Sequence, residues 1–257
     1  MKRYFQIPLM VCMGLSILFS GCSQDEPTKP KTVKPVTADY TAPLAATAPV
    51  IDGNGNDACW ADAEWADLDQ LWLGVAPAAA DFTGRYKFVW TADKLYLLAE
   101  ITDDVLMDSR TNPLSSYWED DCLEFFIDEN NSDGDHQNNY NAFAYHVSVL
   151  YDAVDLGADG QPHLFNDHVS VIRTKSNTRY TWEFAFTVYN DTFVYGATNN
   201  PTVTLTQGKK LGYALAYCDS DNSKTRESFI GSIAIAGVDK NRAYIDAGIF
   251  GTMELVE

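Results

Sequence analysis

The 257-residue sequence predicts an all-β protein whose folded part is a two-sheet antiparallel β-sandwich with one short helix near its start. Three observations lead there. Between Arg85 and Val256 the chain contains a series of short runs rich in β-branched and aromatic residues, separated by polar turns. No segment among them sustains a 3.6-residue apolar period, as a packed helix requires. The length left after the N-terminal region, ~215 residues, suits one all-β domain, because such sandwiches often run to about 250 residues.

The first element is a charged start, Lys2-Arg3, followed by an apolar run from Ile7 to Phe19 and by Ser20-Gly21-Cys22. That order is the pattern of a secretory signal peptide over residues 1–21. Pro8, Gly14 and Ser16 interrupt the run, and it falls short of the ~20 apolar residues that a membrane-spanning helix needs. Small residues directly before a cysteine resemble the bacterial lipobox, in which the cysteine (here Cys22) becomes the acylated first residue of the mature chain. An ordinary signal with a chance cysteine is the alternative. Acyl chains contribute ~0.8 kcal/mol per buried CH₂, so several together hold a domain durably at a membrane. The expectation is an exported bacterial lipoprotein at the outer membrane, the cell surface or the periplasmic face, joined to the membrane by lipid alone. Residues 22–42 follow as a tether, in which Pro27, Pro30 and Pro35 alternate with Lys29, Lys31 and Lys34 and large apolar residues are scarce. Such a composition holds the chain semi-extended. Asp25 and Glu26 resemble the acidic export signal of surface-displayed lipoproteins in the Bacteroides group.

The folded domain is expected over residues 43–257. A short helix is predicted from a cap at Asn56-Asp57 to about Ala66, with Trp60 and Trp65 as apolar anchors. Strands are then predicted at Arg85–Trp90 and Leu95–Ile101, joined by the turn Thr91–Lys94. Further strands are expected at Cys122–Asp128, Phe143–Leu150, Val169–Thr174, Tyr180–Thr187, Leu211–Asp219 and Thr252–Val256. Trp60, Trp65, Trp72, Trp90 and Trp182 lie in amphipathic or apolar contexts and are expected in the core. Trp118 differs: it sits beside Pro113, Ser115 and Ser116, among charges. An exposed tryptophan is uncommon unless it is used, so Trp118 reads as a ligand platform.

Charge narrows the partners. Two of the 18 basic residues and none of the 36 acidic ones precede Cys22, so the mature chain carries 36 acids against 16 bases, a net charge of −20. Such a surface repels nucleic acid and anionic lipid, and suits neutral ligands and divalent cations. Of the five cysteines, Cys12 leaves with the signal and Cys22 is lipidated. Cys59, Cys122 and Cys218 remain, either as one disulfide with a free thiol or as three small buried side chains, and sequence does not choose a pair.

Several runs carry a family resemblance: Val50-Ile-Asp-Gly53 with Trp60, Lys94-Leu-Tyr-Leu97, Ile101-Thr-Asp-Asp104, and Trp118-Glu-Asp-Asp-Cys-Leu-Glu-Phe-Phe-Ile-Asp-Glu-Asn130. Trp182-Glu-Phe-Ala-Phe186, Leu211-Gly-Tyr-Ala-Leu-Ala-Tyr-Cys-Asp-Ser-Asp221 and Phe250-Gly-Thr-Met-Glu-Leu255 complete the set. In this order they resemble carbohydrate-binding module family 9, from about residue 48 to the end of the chain. The resemblance implies a DOMON-like or jelly-roll type sandwich that binds glucans, xylans or short oligosaccharides without chemistry on them, beside polysaccharide-degrading enzymes. It also implies structural calcium and an aromatic clamp. The clamp would fall on Trp118 and, near the closing Phe-Gly, on Tyr244. The family carboxylate would be Glu124, and the family arginine falls on His146. Tyrosine keeps a stacking face. Histidine lacks the bidentate guanidinium donor, which alters the ligand preference that the resemblance implies.

The physics of sugar capture fits these residues. A pyranose has an apolar face of C–H groups and a rim of hydroxyls. An aromatic plate covers the face, at about 0.5–1.5 kcal/mol beyond area burial. Carboxylates and amides meet the rim, and leaving one unmatched costs about 1–3 kcal/mol. If residues 118–124 are extended, Trp118, Asp120, Cys122 and Glu124 share one face, while Leu123, Phe125 and Ile127 point to the core. A calcium ion would take hard oxygen donors, and the loop 128–139 is dense in them, with Asp128, Asn130, Asp133 and Asp135 as candidate ligands. It is not an EF-hand, since its glycine is one place late and Asn139 stands where glutamate belongs; a solvated polar turn is the alternative. Asp52, and Asp219 or Asp221, could complete such a site from elsewhere in the fold. Two other functions compete. A glycoside hydrolase needs two carboxylates at a set separation, and among 36 acids no pair stands out. A haem-binding electron carrier could draw on His146 with Met107 or Met253, although no Cys-x-x-Cys-His occurs.

Overall fold

The computed structural model describes residues 37–222 and 225–257. The expected signal peptide, Cys22 and the tether up to residue 36 lie outside them. Fourteen strands form two sheets among the described residues. They are β1 (Tyr40–Pro43), β2 (Ala66–Leu68), β3 (Gln70–Gly74), β4 (Phe82–Trp90), β5 (Leu95–Asp103), β6 (Cys122–Asp128) and β7 (Phe143–Ser148). The rest are β8 (Ala153–Leu156), β9 (Pro162–Leu164), β10 (Val169–Ser176), β11 (Arg179–Phe186), β12 (Lys210–Asp219), β13 (Ser228–Gly231) and β14 (Gly251–Val256). The larger sheet runs β1-β14-β12-β6-β7-β8-β9, with β13 on the upper half of β12 and β3 beyond it; the smaller runs β10-β11-β5-β4-β2.

Each strand expected from the sequence forms, within a few residues of its predicted bounds. Alternation decides which side chains meet. Leu123, Phe125 and Ile127 of β6 and Tyr213, Leu215 and Tyr217 of β12 point between the sheets, against Phe88, Leu97, Ile101, Trp182 and Phe184 of the smaller one. All are buried. At about 1.5–3 kcal/mol for each large apolar side chain removed from water, this layer is the main favourable term in folding. The opposite faces of β6, β7 and β12 are also covered. Cys122, Phe126, Ala144, Ala214, Ala216 and Cys218 lie there under Trp72 and Phe229. Because the large sheet is covered on both sides, β6 and β12 are buried along nearly their whole length.

Three expectations are corrected. The helix predicted to run to Ala66 is a 3-10 turn, Ala58–Asp62, and Ala66 already belongs to β2. Asp57 does not cap it: its carboxylate instead accepts the Val50 N–H at 3.2 Å. Trp60, the turn's one buried residue, is held by Glu183, whose Oε1 accepts from Trp60 Nε1 at 3.1 Å and whose Oε2 accepts from Gly53 N at 2.7 Å. Secondly, the fold takes in Tyr40–Pro43, three residues before the expected boundary. Tyr40 and Ala42 are buried, and β1 pairs with β14 in parallel, the one parallel ladder among the described strands of an otherwise antiparallel sandwich. Thirdly, of the tryptophans assigned to the core, Trp60, Trp72, Trp90 and Trp182 are buried, but Trp65 is half-exposed with the Arg85 guanidinium 4.1 Å above its ring.

Candidate functional site

Small side chains make the site. Ala144, Ala214, Ala216, Cys122 and Cys218 fill little of the outer face of the large sheet. Over one side of this face lies a hollow of about 380 Å³, walled by Tyr117, Trp118, Phe229 and Tyr244, with Glu124, His146, Asp155, Arg226 and Asn241 presenting polar groups. That volume lies in the range usual for small-molecule sites, roughly 300–1,000 Å³. The four residues singled out in the sequence, Trp118, Glu124, His146 and Tyr244, thus line one cavity, although His146 and Tyr244 come from parts of the chain separate from the run that holds Trp118 and Glu124. Trp118 remains 39% exposed. Its ring stands edge-on to Tyr117 at 5.0 Å and its Nε1 donates to Glu119 Oε1 at 3.0 Å. Ser116, just before this pair, has φ of 52°, a left-handed conformation uncommon for a residue with a side chain, in a turn closed by Glu119 N donating to Ser116 O.

The polar floor is a set of opposed charges. Glu124 on β6 is opposite His146 on β7 in register, and its Oε1 lies 3.1 Å from His146 Nε2. The same oxygen accepts from Cys218 Sγ at 3.0 Å and lies 3.7 Å from Arg226 Nη1. Burial alone would raise the Glu124 carboxyl, but the His146 and Arg226 charges prevail and hold it below its ordinary value. Burial likewise works against the imidazolium of His146, and the Glu124 charge and hydrogen bond outweigh it, so His146 titrates above its ordinary value. Asp155 on β8 goes the other way. Burial pushes it up to about 6, even though the Ala144 N–H donates to its Oδ2 at 2.8 Å.

Sequence reasoning missed Tyr117, Asp155, Arg226 and Asn241. Arg226 matters most. The arginine that the resemblance placed at His146 is absent from that position, yet a guanidinium reaches the same carboxylate from the other side. It lies 4.1 Å above the Phe229 ring, and Nη2 donates to Asn241 Oδ1 at 3.3 Å. Its approach depends on β13 folding back on β12, a pairing of four short rungs with no alternating pattern to announce it. Tyr117 had a signal, since it adjoins Trp118 in the same exposed context. His146 and Met253 occupy opposite faces of the large sheet, so these two do not make the axial pair that a haem would need.

The expected metal loop is built differently. Asp128 spends its carboxylate inside the loop, where Oδ2 accepts the Asp133 N–H at 2.9 Å and Oδ1 accepts the Asn130 N–H at 3.2 Å. Asp135 accepts from Gln137 N. Asp128, Asp133 and Asp135 do not converge; among the described residues the carboxylates that do are Asp103, Asp121 and Asp219, and beside them Asp81, Asp104 and Asp221, each trio with donor atoms within 4.8 Å of one another. Asp103, Asp121 and Asp219 are buried. Asp103 Oδ2 accepts from Tyr217 OH at 2.6 Å, while Asp103 Oδ1 and Asp219 Oδ2 are buried without a partner. Burial first, then Asp103, raises Asp121 to about 9; burial, with Asp81 and Asp103, raises Asp219 to about 7. Three buried carboxylates, two of them with an orphaned oxygen, suit a hard divalent cation such as calcium. The neighbouring Asp120 ties down the loop that bears Trp118: it accepts the Ser109 and Arg110 N–H groups at 2.9 and 2.7 Å, and Asp121 accepts from Met107 N and Ser220 N.

Comparison with known proteins gives concordant results. The family model described as carbohydrate family 9 binding domain-like matches residues 51–257. The endo-1,4-beta-xylanases A of Thermotoga neapolitana and Thermotoga maritima are 35% and 32% identical over 107 and 124 residues, or 40% and 48% of this chain. The matches span only 10% and 11% of those enzymes' own lengths. Among solved structures, a family 9 carbohydrate-binding module of Caldicellulosiruptor kristjanssonii in complex with cellotriose superposes with a TM-score of 0.60, at 19% identity, over 84% of this chain and 93% of that one. A putative carbohydrate-binding protein of Bacteroides uniformis superposes with a TM-score of 0.53, at 12% identity, over 84% of this chain and 99% of the other. At these identities the superpositions establish the β-sandwich fold.

Proposed function

Since the chain belongs to the carbohydrate family 9 binding domain-like family, we propose that it holds a gluco- or xylo-oligosaccharide in the hollow beside Trp118 and leaves the sugar chemically unchanged. The observation that carries this reading is the tryptophan itself. It is 39% exposed and lines a cavity whose walls also include Tyr244 and whose floor is polar and charge-balanced. The aromatic faces would take the apolar face of a pyranose. Glu124, His146, Arg226 and Asn241 would meet the hydroxyl rim, with Arg226 supplying the planar donor that His146 lacks. The neighbouring proteins support the ligand class, since one of them is described with cellotriose and a second form with glucose.

Calcium at Asp103, Asp121 and Asp219 is part of the proposal. It would neutralise the trio and hold the Trp118 loop through Asp121. The membrane attachment is a further part. Cys22 would carry lipid, and residues 22 to about 39 would present the sandwich at the bacterial surface or periplasmic face, beside enzymes that cut polysaccharide. No helix among the described residues is long and apolar enough to cross a membrane, and metabolic labelling with a fatty acid, lost in Cys22→Ser, tests the attachment directly.

Calorimetric titration with cello- and xylo-oligosaccharides tests the binding, with Trp118→Ala alongside. The expected result is saturable binding by the wild type, weakened in the variant. Binding to no sugar, or equal binding by both proteins, overturns the assignment. Release of reducing sugar from glucan or xylan by the purified protein would establish hydrolysis instead.

A further inference from the structure

We propose that Cys122 and Cys218 are a disulfide-forming pair, closing a cross-strand bond beneath the hollow, and that Cys59 stays outside it. The bond rests on the geometry of the sheet and does not require the sugar reading to be correct. Cys122 and Cys218 are directly opposite each other on β6 and β12. Opposed residues of an antiparallel pair have Cα atoms about 4.5–5.5 Å apart, inside the range of about 4.4–6.8 Å that a disulfide spans. Their sulfur atoms already lie within 4.8 Å of each other and on the same face of the sheet. Cys59 is elsewhere, packed half-buried against the outer face of the smaller sheet near Trp60.

The surroundings favour a pair of sulfurs over a bound metal. Glu124 adjoins them, giving a trio of donors. Arg226 fills the space a cation would take, with Nη1 donating to Cys218 Sγ at 3.2 Å and lying 3.7 Å from Glu124. A guanidinium in that position repels a metal ion and tolerates a neutral disulfide, whose sulfur still accepts weakly. The pair also lies where a crosslink constrains most. Asp121 and Asp219 flank it on one side of the sheet and Glu124 on the other, so one covalent rung would fix both the carboxylate trio and the polar floor of the hollow.

The oxidant is a disulfide donor, either a thiol–disulfide oxidoreductase or oxidised glutathione. One thiolate attacks a donor sulfur, forming a mixed disulfide and releasing one donor thiol. The second cysteine then attacks its partner's sulfur and releases the other donor thiol. The two cysteines lose two protons and two electrons, and the donor disulfide gains both. In the folded protein the hydrogen bond with Cys218, and then burial, pushes the Cys122 thiol up, and burial pushes Cys218 up, so little thiolate is present. Closure is therefore expected while the chain folds rather than after the sheet is complete.

The test is refolding of the full chain with oxidised and reduced glutathione, against refolding in reductant alone, followed by alkylation and peptide mapping without reduction. The expected product links the peptide containing Cys122 to that containing Cys218 and leaves Cys59 alkylated. The oxidised protein should unfold roughly 10 °C higher than the reduced one, because the bond closes a loop of about 100 residues. Linkage of Cys59 to either residue, or alkylation of both Cys122 and Cys218 after oxidative refolding, overturns the proposal. The mapping needs no variant and no ligand. A linked pair in a protein that binds no sugar would uphold this inference and sink the proposed function.

Discussion

Replacing Glu124 by glutamine removes one charge from the floor of the hollow and leaves its shape. The structure fixes what is left behind. The Arg226 side chain is 8% exposed and that of His146 is 9% exposed, and Glu124 is the carboxylate nearest to both, at 3.7 and 3.1 Å. Removing one member of a buried ion pair costs about 3–5 kcal/mol, because the partner stays buried and uncompensated. For a domain of this size each kcal/mol shifts the midpoint by about 2–4 °C, so Glu124→Gln should lower it by about 6–20 °C. Thermal unfolding followed by circular dichroism measures this. A second substitution separates charge from packing. Adding Arg226→Met to Glu124→Gln removes the stranded cation and should restore at least half of the lost stability, while sugar affinity stays low because both hydroxyl-binding groups are gone. The His146 resonance should titrate at lower pH in the single variant, since the carboxylate that holds it up is absent. A midpoint within 1 or 2 °C of wild type, or a double variant less stable than the single one, would show that Glu124 is not the counter-ion of this site.

Three further predictions follow from other residues. Trp118→Ala should weaken oligosaccharide binding by roughly 10-fold or more, the loss of one stacking plate, with little change in the unfolding midpoint because the ring is already exposed. Removal of calcium with a chelator should lower the midpoint and weaken sugar binding together through the Trp118 loop. Asp219→Asn should make the midpoint insensitive to calcium, and a calcium-insensitive wild type would remove the ion from the model of the site. His168 is buried with Nδ1 2.8 Å from Tyr145 OH, and burial holds it down at about 4 against its ordinary 6.5. A depressed histidine is unprotonated in the fold while the unfolded chain takes up a proton, so its contribution is complete above pH 6.5. It is lost as pH falls toward 4, a span worth about 3 kcal/mol; because the raised carboxyls of Asp121, Asp219 and Asp155 work in the opposite direction over this range, the loss should appear in chemical denaturation at pH 7 and pH 4.5 as the difference between wild type and His168→Gln.

The sequence made the long strands legible because each carries its own alternation. Leu123, Phe125 and Ile127 declare one face, and the parity that sends them inward sends Cys122 and Glu124 to the opposite face, where Glu124 lines the hollow. The elements it did not reveal are short ones whose existence depends on a partner. Tyr40–Pro43 reads as the end of a proline-rich segment, and becomes a strand because β14 offers an edge and the core takes Tyr40. Ser228–Gly231 is too short to announce itself and becomes β13 because β12 is long enough to pair twice on one side. The site divides the same way. Trp118 was legible from its polar context, and Glu124 and His146 through the family resemblance. Arg226 and Asp155 were not, since nothing local distinguishes a surface charge from one that another strand will bury. The carboxylates differ in the same way: hard oxygen donors close in sequence at Asp128 satisfy their own backbone, while Asp103, Asp121 and Asp219 meet only across three strands.

The parallel ladder between β1 and β14 also sets when the molecule can exist. The first strand of the described fold is hydrogen-bonded to the last, Tyr40 opposite Met253 and Pro43 opposite Val256. Until β14 has been synthesised, β1 has no partner and the edge of β12 that β14 covers lies open. Contacts so distant in sequence form slowly, and unpaired edges invite association with other chains. The sandwich is therefore a closure that waits for β14 to be made. A polypeptide held extended until its last strand is available, as passage through a membrane pore would hold it, completes its ladder in one step, whereas a chain shortened by β14 has a first strand and nothing to join it to.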